Sequence, residues 1–465
     1  MIIDKFIKFV TILALSLTVS FSAMAGASAQ TLKVGLYPYV PRIEQFKTAL
    51  IEAWQEVSDV ELDFSDVCNS DFSNWPCWDG GYDTNPDDFN LDVFVFDALF
   101  FDDFKNKGQL ESIAAAEIDG IDDFVDYAIE GVTEDGIYYA IPQLGCANIL
   151  FYDASDVELA SATNLTEIES ALGTCTYTSE IPPDPRGLMI DMSGGTTNAA
   201  LYLDTVHSLN GTYPFPLLGD ESELDPDAID NMRELLALAS YENATDSEDP
   251  KIGSYERAEW FSNGWGRATI GYTESMSVMS QNTRDNIDFK VMPLSKVDES
   301  YPAVFYADVI AVNPNTQNRD LAVQLANVMA ASDTIVDSFK AEGSEPPQYL
   351  MATRPSVFNA LGLDDPIYDR MFGLVEDNDP IMFKLNSDSR EWLDAMKGTI
   401  QEAAREDYVC GCDYPAIQTI FSNADAPSIC NETCSPYGGW NGQWTNDYPA
   451  AREDSVCGCN ACTVN

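Results

Sequence analysis

The order of apolar and polar positions along the chain predicts strands that alternate with helices. The segment TLKVGLYPYVP (residues 31–41) is typical of a first strand that ends in a proline-marked turn. Residues 43–54 then have the spacing of an amphipathic helix. The run LDVFVFDALF (residues 91–100) is almost continuously apolar, which indicates a strand buried on both faces of a mainly parallel sheet. This alternation predicts a fold of the α/β class.

The middle of the chain has a strand and helix pattern of its own, which suggests two lobes. Further strand-like segments lie at residues 187–192, 267–278, 288–294 and 304–314. We expect the chain to cross between lobes near residues 140–148 and to return near residues 300–312. Residues 30–143 and 304–404 are then expected to form one lobe and residues 144–303 the other. A cleft between lobes is where small ligands usually bind.

Residues 1–29 are typical of a secretory signal peptide. Lys5 and Lys8 supply a positive start, an apolar stretch follows, and residues 27–29 (ASA) form an A-x-A cleavage site. The alternative is a membrane helix, but the charged start and the small-residue ending favour removal. No later segment has the roughly 18 apolar residues that a span needs. We therefore expect a secreted protein, extracellular or periplasmic, without a membrane span.

The charge of the chain is strongly negative, with 24 basic and 77 acidic residues and a formal net charge of −53. Such a surface repels nucleic acid and attracts cations, so no nucleic-acid partner is expected. Solubility in salty surroundings is an equally good explanation of this charge. Apolar residues at 45% and aromatic residues at 11% are sufficient for a packed core.

The cysteines are expected to form disulfides, because the chain is expected to be exported. Cys68 and Cys77 are close enough in sequence to form a local bridge. An even set that could pair internally is made by Cys175, Cys410, Cys412, Cys430, Cys434, Cys457, Cys459 and Cys462. This parity leaves Cys146, which lies in an apolar run, as the odd cysteine.

Residues 405–465 are expected to form a cysteine-rich, disulfide-stapled extension. The extension contains an internal repeat, REDYVCGC from Arg405 and REDSVCGC from Arg452. The C-x-C and C-x3-C spacings of its cysteines could hold zinc instead of forming disulfides.

Common catalytic motifs are missing from the sequence, which contains no GxxxxGK[ST], HExxH or GxSxG segment. The single histidine, His207, follows the apolar face of its predicted helix, which favours a structural role. A Ser-His-Asp triad and a histidine-rich metal site are therefore not expected, and no metal or cofactor is predicted.

Cys146 and Glu274 are the candidates for catalysis. A free cysteine is commonly a small buried apolar residue, whereas a nucleophilic one needs a base or a positive neighbourhood. No Lys or Arg lies near Cys146 in sequence, so its base must come from a distant segment. Glu274 stands in a largely uncharged run, IGYTESMSV, where a carboxylate is either capped in a turn or functional.

Several of these segments together resemble thiaminase I (thiamine pyridinylase), a family of exported relatives of periplasmic binding proteins. The segments are GLYPYVP, IPQLGCANILFY, GYTESMS and FYADVIAVN, and the resemblance spans roughly residues 31–400. The resemblance implies a type II periplasmic-binding-protein-like fold with thiamine held in the interlobe cleft. The extension after about residue 405 and the loop at residues 68–77 lie outside it.

The resemblance also implies an activity. In this family a cysteine adds to the pyrimidine ring of thiamine and a glutamate acts as its base, and the matching positions are Cys146 and Glu274. The pyrimidinylmethyl group then passes to an amine or thiol, and the thiazole is released. The family lines its cleft with tyrosines and aspartates, and the matching positions are Tyr37, Tyr39, Tyr82, Asp97, Asp126, Tyr255, Tyr272, Tyr306 and Asp308.

The alternative function is that of a non-catalytic solute-binding protein for thiamine or another cationic small molecule. The same fold serves both roles, so fold alone does not decide between them.

Overall fold

The computed structural model describes residues 31–69, 72–173, 187–192, 195–211, 224–239, 254–298, 301–385, 389–405, 412–445 and 455–459. The strands are β1 Thr31–Gly35, β2 Glu61–Asp63, β3 Val93–Asp97, β4 Thr133–Glu134, β5 Ile137–Tyr138, β6 Ile141–Cys146, β7 Ile149–Asp153, β8 Leu188–Met189, β9 Ala268–Gly271, β10 Ile287–Val291, β11 Val304–Val312, β12 Met351–Ala352, β13 Ile381–Met382, β14 Cys412–Pro415, β15 Trp440–Thr445 and β16 Val456–Cys459. The predicted signal peptide lies outside the described residues.

The helices connect these strands, as the alternating pattern predicts. They are α1 Ile43–Gln55, α2 Pro86–Phe89, α3 Phe101–Asn106, α4 Asp126–Gly131, α5 Val157–Ser161, α6 Leu165–Leu172, α7 Thr196–Asn210, α8 Pro226–Leu238, α9 Ser254–Ser262, α10 Gln281–Asn286, α11 Arg319–Ala330, α12 Ser332–Phe339, α13 Pro355–Gly362, α14 Ile367–Asn378, α15 Ser389–Arg405 and α16 Ala426–Thr433. Short 3-10 helices lie at Ala98–Phe100, Ala115–Glu117, Ile121–Asp123, Thr273–Val278 and Ser435–Tyr437. Among these described helices, none combines the length and the apolarity of a membrane span.

The larger sheet has seven strands in the order β12-β6-β11-β3-β1-β2, with β13 paired to β11. Strand β3 is buried at every position, as its apolar run indicates. The sheet is mixed rather than mainly parallel, because β3 runs parallel to β1 but antiparallel to β11. An apolar run reports burial of both faces and says nothing of the direction of the neighbouring strand, so the expectation of a mainly parallel sheet was wrong.

The smaller sheet has four strands in the order β10-β7-β9-β8. The chain enters it directly after the larger sheet, since β6 ends at Cys146 and β7 begins at Ile149. It returns to the larger sheet between β10 and β11. The crossings fall in the expected regions, and the division into lobes at residues 143/144 and 303/304 stays a prediction.

Helix α1 packs one face against helices α11 and α12. Phe46, Leu50 and Trp54 are buried on this face. The rings of Phe46 and Phe339 lie 5.9 Å apart. Burial of this apolar face stabilises the helix more than its local sequence does, since the helix is short.

The extension has a small core of its own, separate from the main core. Its strands form a three-stranded antiparallel sheet in the order β14-β16-β15. Disulfides join Cys430 to Cys457 and Cys434 to Cys459, so these four thiols cannot hold zinc. Outside the described part of the chain are Cys175, Cys410, Cys462 and the side chain of Cys412.

Candidate active site

Cys146 is the last residue of β6, opposite Tyr306 on β11. Residues 141–145 and 147–150 are buried, whereas Cys146 is only half-buried. Of the cysteines that the structure describes, Cys146 alone is free. Cys68 and Cys77 form the expected local disulfide. The expectation that Cys146 is the odd cysteine is therefore confirmed, and its thiol lies where the chain leaves the larger sheet.

Glu274 is brought toward Cys146 by the pairing of β7 with β9. Ile149, three residues after Cys146, is the register partner of Gly271, three residues before Glu274. The chain then turns into the 3-10 helix Thr273–Val278, which holds Glu274 in its first turn. Residues far apart in sequence are thus placed together by one strand pair.

Glu274 is buried, and its Oε2 atom has no hydrogen-bond partner among the described residues. Burial raises the pKa of Glu274 to about 7, although its own backbone N–H partly opposes this by stabilising the charged form. A carboxyl with this pKa exists in both protonation states near neutral pH and suits the role of a general base.

The surroundings of Cys146 disfavour its thiolate form. Burial raises its pKa well above the ordinary value, and the negative charges of Glu274, Asp308 and Asp97 raise it further, in that order. No cationic group and no histidine is among the groups that shift it within the described residues. His207 lies in helix α7, where burial lowers its pKa. A carboxylate, rather than an imidazole, is therefore the available proton acceptor.

Asp97 and Asp308 are register partners on β3 and β11. Each is 8% exposed. Asp97 accepts hydrogen bonds from the backbone N–H of Leu99 at 2.9 Å and from the hydroxyl of Tyr82 at 2.7 Å. Burial raises the pKa of both carboxyls, and for Asp308 the charges of Asp97 and Glu274 raise it further.

A cluster of aromatic rings covers this carboxylate pair. The hydroxyl oxygens of Tyr37 and Tyr82 lie 3.4 Å apart. The ring of Tyr39 lies 5.3 Å from that of Tyr37 and 5.6 Å from that of Tyr82. Tyr82 also contacts Phe100, at 5.2 Å between ring centroids. The structure therefore brings together these three sequence-predicted tyrosines, including Tyr82, which follows the disulfide-closed loop.

Further tyrosines lie on the Glu274 side of the site. The rings of Tyr272 and Tyr306 meet edge to face at 6.1 Å. Burial raises the pKa values of Tyr272 and Tyr255 well above the ordinary value, and the negative charge of Glu274 raises both further. The hydroxyl of Tyr306 accepts a hydrogen bond from Asn148 at 3.1 Å. Asn148 was missed in the sequence, although a polar residue inside the apolar run CANILFY was the available signal.

Asp126 is not among the residues that the structure brings together, because its side chain is exposed in the first turn of helix α4. Its neighbour Tyr127 is 4% exposed instead. Burial raises the pKa of Tyr127 far above the ordinary value, and the charges that Cys146 and Asp308 carry when ionised raise it further. At this point of the chain the buried residue is Tyr127, whose ring contacts Phe305 and whose hydroxyl lies beside Gly145, on the face of the larger sheet opposite to Cys146.

The assembled side chains form an electron-rich, anionic site around one thiol. Phenol faces attract organic cations, and buried carboxylates compensate a positive charge that lacks water. In the described part of the chain no group of three or more His, Cys, Asp or Glu side chains is arranged to hold a metal ion. The arrangement can bind an organic cation and present it to a nucleophile and a base.

Comparison with known proteins identifies the same family that the sequence motifs resemble. The profile of the Thiaminase-1 domain matches residues 147–295. A protein of Paenibacillus thiaminolyticus named Thiaminase-1 is 35% identical over 400 residues, which cover 84% of this chain and 94% of that protein. The structure of Clostridium botulinum thiaminase I in complex with thiamin has 34% identity and a TM-score of 0.73, covering 80% of this chain and 100% of that chain.

The wider fold is that of periplasmic binding proteins, as the resemblance implied. The maltose-maltodextrin binding protein of Alicyclobacillus acidocaldarius has a TM-score of 0.54 at 14% identity, and the match covers 81% of this chain and 98% of that chain. At this identity the likeness shows the fold alone.

The extension matches a different family, whose profile is described as Mannan-binding protein, over residues 423–459. The thiaminase I match, in contrast, covers most of the chain in sequence and in structure. The chain therefore belongs to the thiaminase I family, with a cysteine-rich extension at its C-terminal end.

Proposed function

We propose that this protein is a thiamine-degrading transferase with Cys146 as nucleophile and Glu274 as general base. The observation that carries the proposal is the pairing of a free, half-buried thiol with a buried carboxylate whose Oε2 atom has no partner among the described residues. Among the charged groups that raise the pKa of the Cys146 thiol, Glu274 has the largest effect. Membership of the thiaminase I family supports the same reaction.

The reaction proceeds in two displacements. Glu274 takes the proton of Cys146, and the thiolate adds to the pyrimidine ring. The electron pair of the bond between the methylene carbon and the thiazolium nitrogen leaves with the nitrogen, and neutral thiazole is released. An amine or thiol then adds to the methylene carbon and loses its proton to solvent, the thiolate leaves the ring, and Glu274 returns the first proton to the sulfur of Cys146. Covalent catalysis thus replaces one difficult step by two easier ones.

The binding of thiamine uses the aromatic cluster and the carboxylate pair. Tyr37, Tyr82 and Tyr272 are half-buried, as expected of rings that line a cleft. A phenol face contributes about 0.5–2 kcal/mol to the binding of a cation such as the thiazolium. Asp97 and Asp308 supply negative charge within the same site.

The decisive experiment is incubation with thiamine and aniline, followed by chromatography of the products. Release of thiazole together with an anilino-pyrimidine adduct supports the transferase. Tight binding of thiamine without products supports the solute-binding alternative. Cys146→Ser is expected to bind thiamine and to release no thiazole, and undiminished turnover by this variant contradicts the proposed mechanism.

We further propose that the mature protein is secreted and acts outside the cytoplasm. The pattern of residues 1–29 and the disulfides Cys68–Cys77, Cys430–Cys457 and Cys434–Cys459 support export into an oxidising compartment. The test is N-terminal sequencing of protein from the culture medium, which is expected to begin at Gln30. An intact N-terminus in a cell-bound protein contradicts it.

The extension has a second proposed function, the binding of a mannose-containing glycan. The match to the Mannan-binding protein family over residues 423–459 favours this function, and the disulfides and separate core favour an independent unit. The full-length protein is expected to be retained on immobilised mannan and eluted by soluble mannan. A chain that ends at Arg405 is expected to flow through and to keep its turnover of thiamine. Equal retention of both chains contradicts glycan binding by the extension.

A further inference from the structure

Tyr82 is carried by a turn, residues 79–85, that we call the Tyr82 turn. The carboxylate of Asp79 accepts hydrogen bonds from the backbone N–H groups of Gly81 at 3.0 Å and Asp83 at 2.8 Å. The hydroxyl of Thr84 also donates to Asp79. Asp79 is 2% exposed. These hydrogen bonds fix the shape of the turn from within.

The phenol of Tyr82 connects this turn to the candidate site. Its hydroxyl donates to Asp97 at 2.7 Å. Asp97 is the register partner of Asp308, and Cys146 is the register partner of Tyr306, two residues before Asp308 on the same strand. Asp97 and Cys146 therefore lie on the same face of the larger sheet, since side chains alternate along a strand. The position of the turn decides whether Tyr82 reaches this face.

The side chain of Arg390 holds the Tyr82 turn from outside. Its Nε and Nη2 atoms donate to the carbonyl of Tyr82 at 3.2 Å and 3.0 Å. Nη2 also donates to the carbonyl of Thr84 at 3.2 Å, and Nη1 donates to Oδ1 of Asn85 at 2.9 Å. The side chain of Arg390 is 12% exposed. A planar guanidinium with a fixed fork of donors can hold these three acceptors at once, whereas an ammonium group cannot.

Aromatic rings surround the guanidinium of Arg390. Its Cζ atom lies 5.4 Å from the ring centroid of Phe104 and 5.9 Å from that of Phe100. The ring of Phe100 in turn contacts that of Tyr82, at 5.2 Å between centroids. The carboxylate of Asp103 lies 3.9 Å from Nη1 and compensates the charge. The guanidinium is therefore enclosed on the side away from the turn.

Arg390 lies in the first turn of helix α15, which is itself fixed by other contacts. The helix packs against α7 and α8, which belong to the segment between two strands of the smaller sheet, β8 and β9. The rings of Trp392 and Tyr202 stack at 6.5 Å between centroids. The Nη2 atom of Arg233 donates to the carbonyl of Ala403 at 3.0 Å. Helix α15 thus gives the guanidinium a rigid base.

We propose that Arg390 is a positioning residue for substrate binding, which holds the Tyr82 turn so that the hydroxyl of Tyr82 reaches Asp97. This inference rests on the proposed function. Arg390 acts through Tyr82 and does not touch the substrate itself. Loss of its guanidinium therefore weakens the binding of the ground state and of the transition state alike, so KM is expected to rise about 10-fold while kcat stays within about 2-fold.

The test is a double-mutant cycle on thiamine affinity, measured by calorimetry in a Cys146→Ser background. Arg390→Met keeps the length of the side chain and its contact with the rings, and removes the hydrogen bonds. In the presence of Tyr82 this change is expected to weaken binding about 10-fold. In a Tyr82→Ala background it is expected to weaken binding by less than about 2-fold, because the group through which Arg390 acts is already absent.

Arg354 provides a matched control. It is 5% exposed, and its guanidinium donates to the carbonyls of Ala330 at 2.7 Å, Gly120 at 2.9 Å and Asp119 at 2.8 Å. Arg354→Met therefore removes a comparable set of hydrogen bonds outside the Tyr82 turn. This variant is expected to lose thermal stability and to keep the thiamine affinity of the parent.

A second variant, Arg390→Lys, keeps the charge and reaches fewer acceptors. Its loss of affinity is expected to lie between those of the parent and of Arg390→Met, and it replaces Arg390→Met in the cycle if that variant does not fold. An affinity of the Arg390 variants within about 2-fold of the parent overturns the inference. A loss of the same size with and without the Tyr82 side chain also overturns it, because Arg390 then acts through another group.

The failure of the proposed function is visible in a different measurement. If the wild-type protein binds thiamine without forming products, or if Cys146→Ser keeps its turnover, the proposed mechanism fails and the affinity cycle still decides the role of Arg390. If Cys146→Ser is inactive and the cycle shows no coupling between Arg390 and Tyr82, the proposed function stands and the inference alone fails. A wild-type protein that does not bind thiamine overturns both.

Discussion

Asp97 and Asp308 lie directly opposite each other on the antiparallel strands β3 and β11, buried at the same level of the larger sheet. Two carboxylates in this arrangement resist simultaneous ionisation, because each disfavours the charge of the other and burial disfavours both. The two carboxyl groups therefore titrate together, and the measured pKa values describe the pair and not either residue alone. An organic cation that binds beside them compensates the second negative charge and favours the release of the shared proton.

Thiamine binding is expected to release about one proton near neutral pH because of this pair. Calorimetric titration in two buffers with different heats of ionisation measures the number of protons released. Asp308→Asn is expected to abolish most of the release, while Asp320→Asn, whose side chain is fully exposed, is the control. Equal proton release by the wild type and Asp308→Asn contradicts this account.

The general base is tested by Glu274→Gln, which keeps the size of the side chain and removes its basicity. The turnover of thiamine is expected to fall by about 10²–10⁴, the usual contribution of a general base. The thiamine KM is expected to change less, since the amide keeps the shape of the site. Steady-state kinetics with aniline as co-substrate measure both quantities, and a loss below about 10-fold assigns the proton transfer to another group.

The pH dependence of the reaction follows from the pKa of Glu274, which is raised to about 7 by burial. Only the ionised carboxylate accepts a proton, so kcat is expected to rise with pH through about 7 and to be lost below it. Measurement of kcat between about pH 5 and 9 locates this rise, which forms the acidic limb of the pH profile. The limb is expected to persist in Asp308→Asn and to disappear in Glu274→Gln, and its persistence in Glu274→Gln refutes the assignment.

The stability of the fold is expected to decrease as the same carboxyl ionises. Because the pKa of Glu274 is higher in the folded than in the unfolded state, the folded protein binds more protons between about pH 4.5 and 7. The contribution of Glu274 to the free energy of unfolding is fully present below this pH range and is lost as the pH rises through the range. Urea unfolding at pH 5 and pH 7.5 is expected to show a smaller difference in Glu274→Gln than in the wild type. An equal difference contradicts the prediction.

The hydroxyl of Tyr82 stabilises Asp97 by the hydrogen bond at 2.7 Å. Tyr82→Phe is expected to weaken thiamine binding about 10-fold, since a hydrogen bond to a charged acceptor contributes about 1.5–3 kcal/mol. Tyr301→Phe, at a partly exposed tyrosine beside His207, is the control. Calorimetry with a Cys146→Ser background measures affinity without turnover. Unchanged affinity shows that the ring alone provides the contribution of Tyr82.

Much of the strand pattern could be predicted from the sequence, because a run such as residues 91–100 reports burial directly. The direction of β11 beside β3 could not, since it depends on where the chain returns after the second sheet. The distance between Cys146 and Glu274 is equally non-local, because the pairing of β7 with β9 creates it. Only the resemblance to the thiaminase I family, and no local sequence pattern, indicated that Cys146 and Glu274 lie together.

Asp126 and Tyr127 show how precisely a sequence pattern can place a side chain. Successive residues of a helix point about 100° apart, so an error of one position exchanges a buried side chain for an exposed one. The resemblance implied that Asp126 lines the cleft, but the start of helix α4 at Asp126 leaves that side chain exposed and buries Tyr127 instead. The unfilled space at Gly145, which accepts the phenol, has no counterpart in a sequence pattern.

The proposed nucleophile and its proposed base belong to different sheets. Cys146 ends a strand of the larger sheet, whereas Glu274 follows a strand of the smaller one. Any separation of the two sheets therefore takes the proton acceptor away from the sulfur and leaves an inert thiol. The proposed proton transfer therefore depends on how the two sheets are held against each other, and not only on the two side chains themselves.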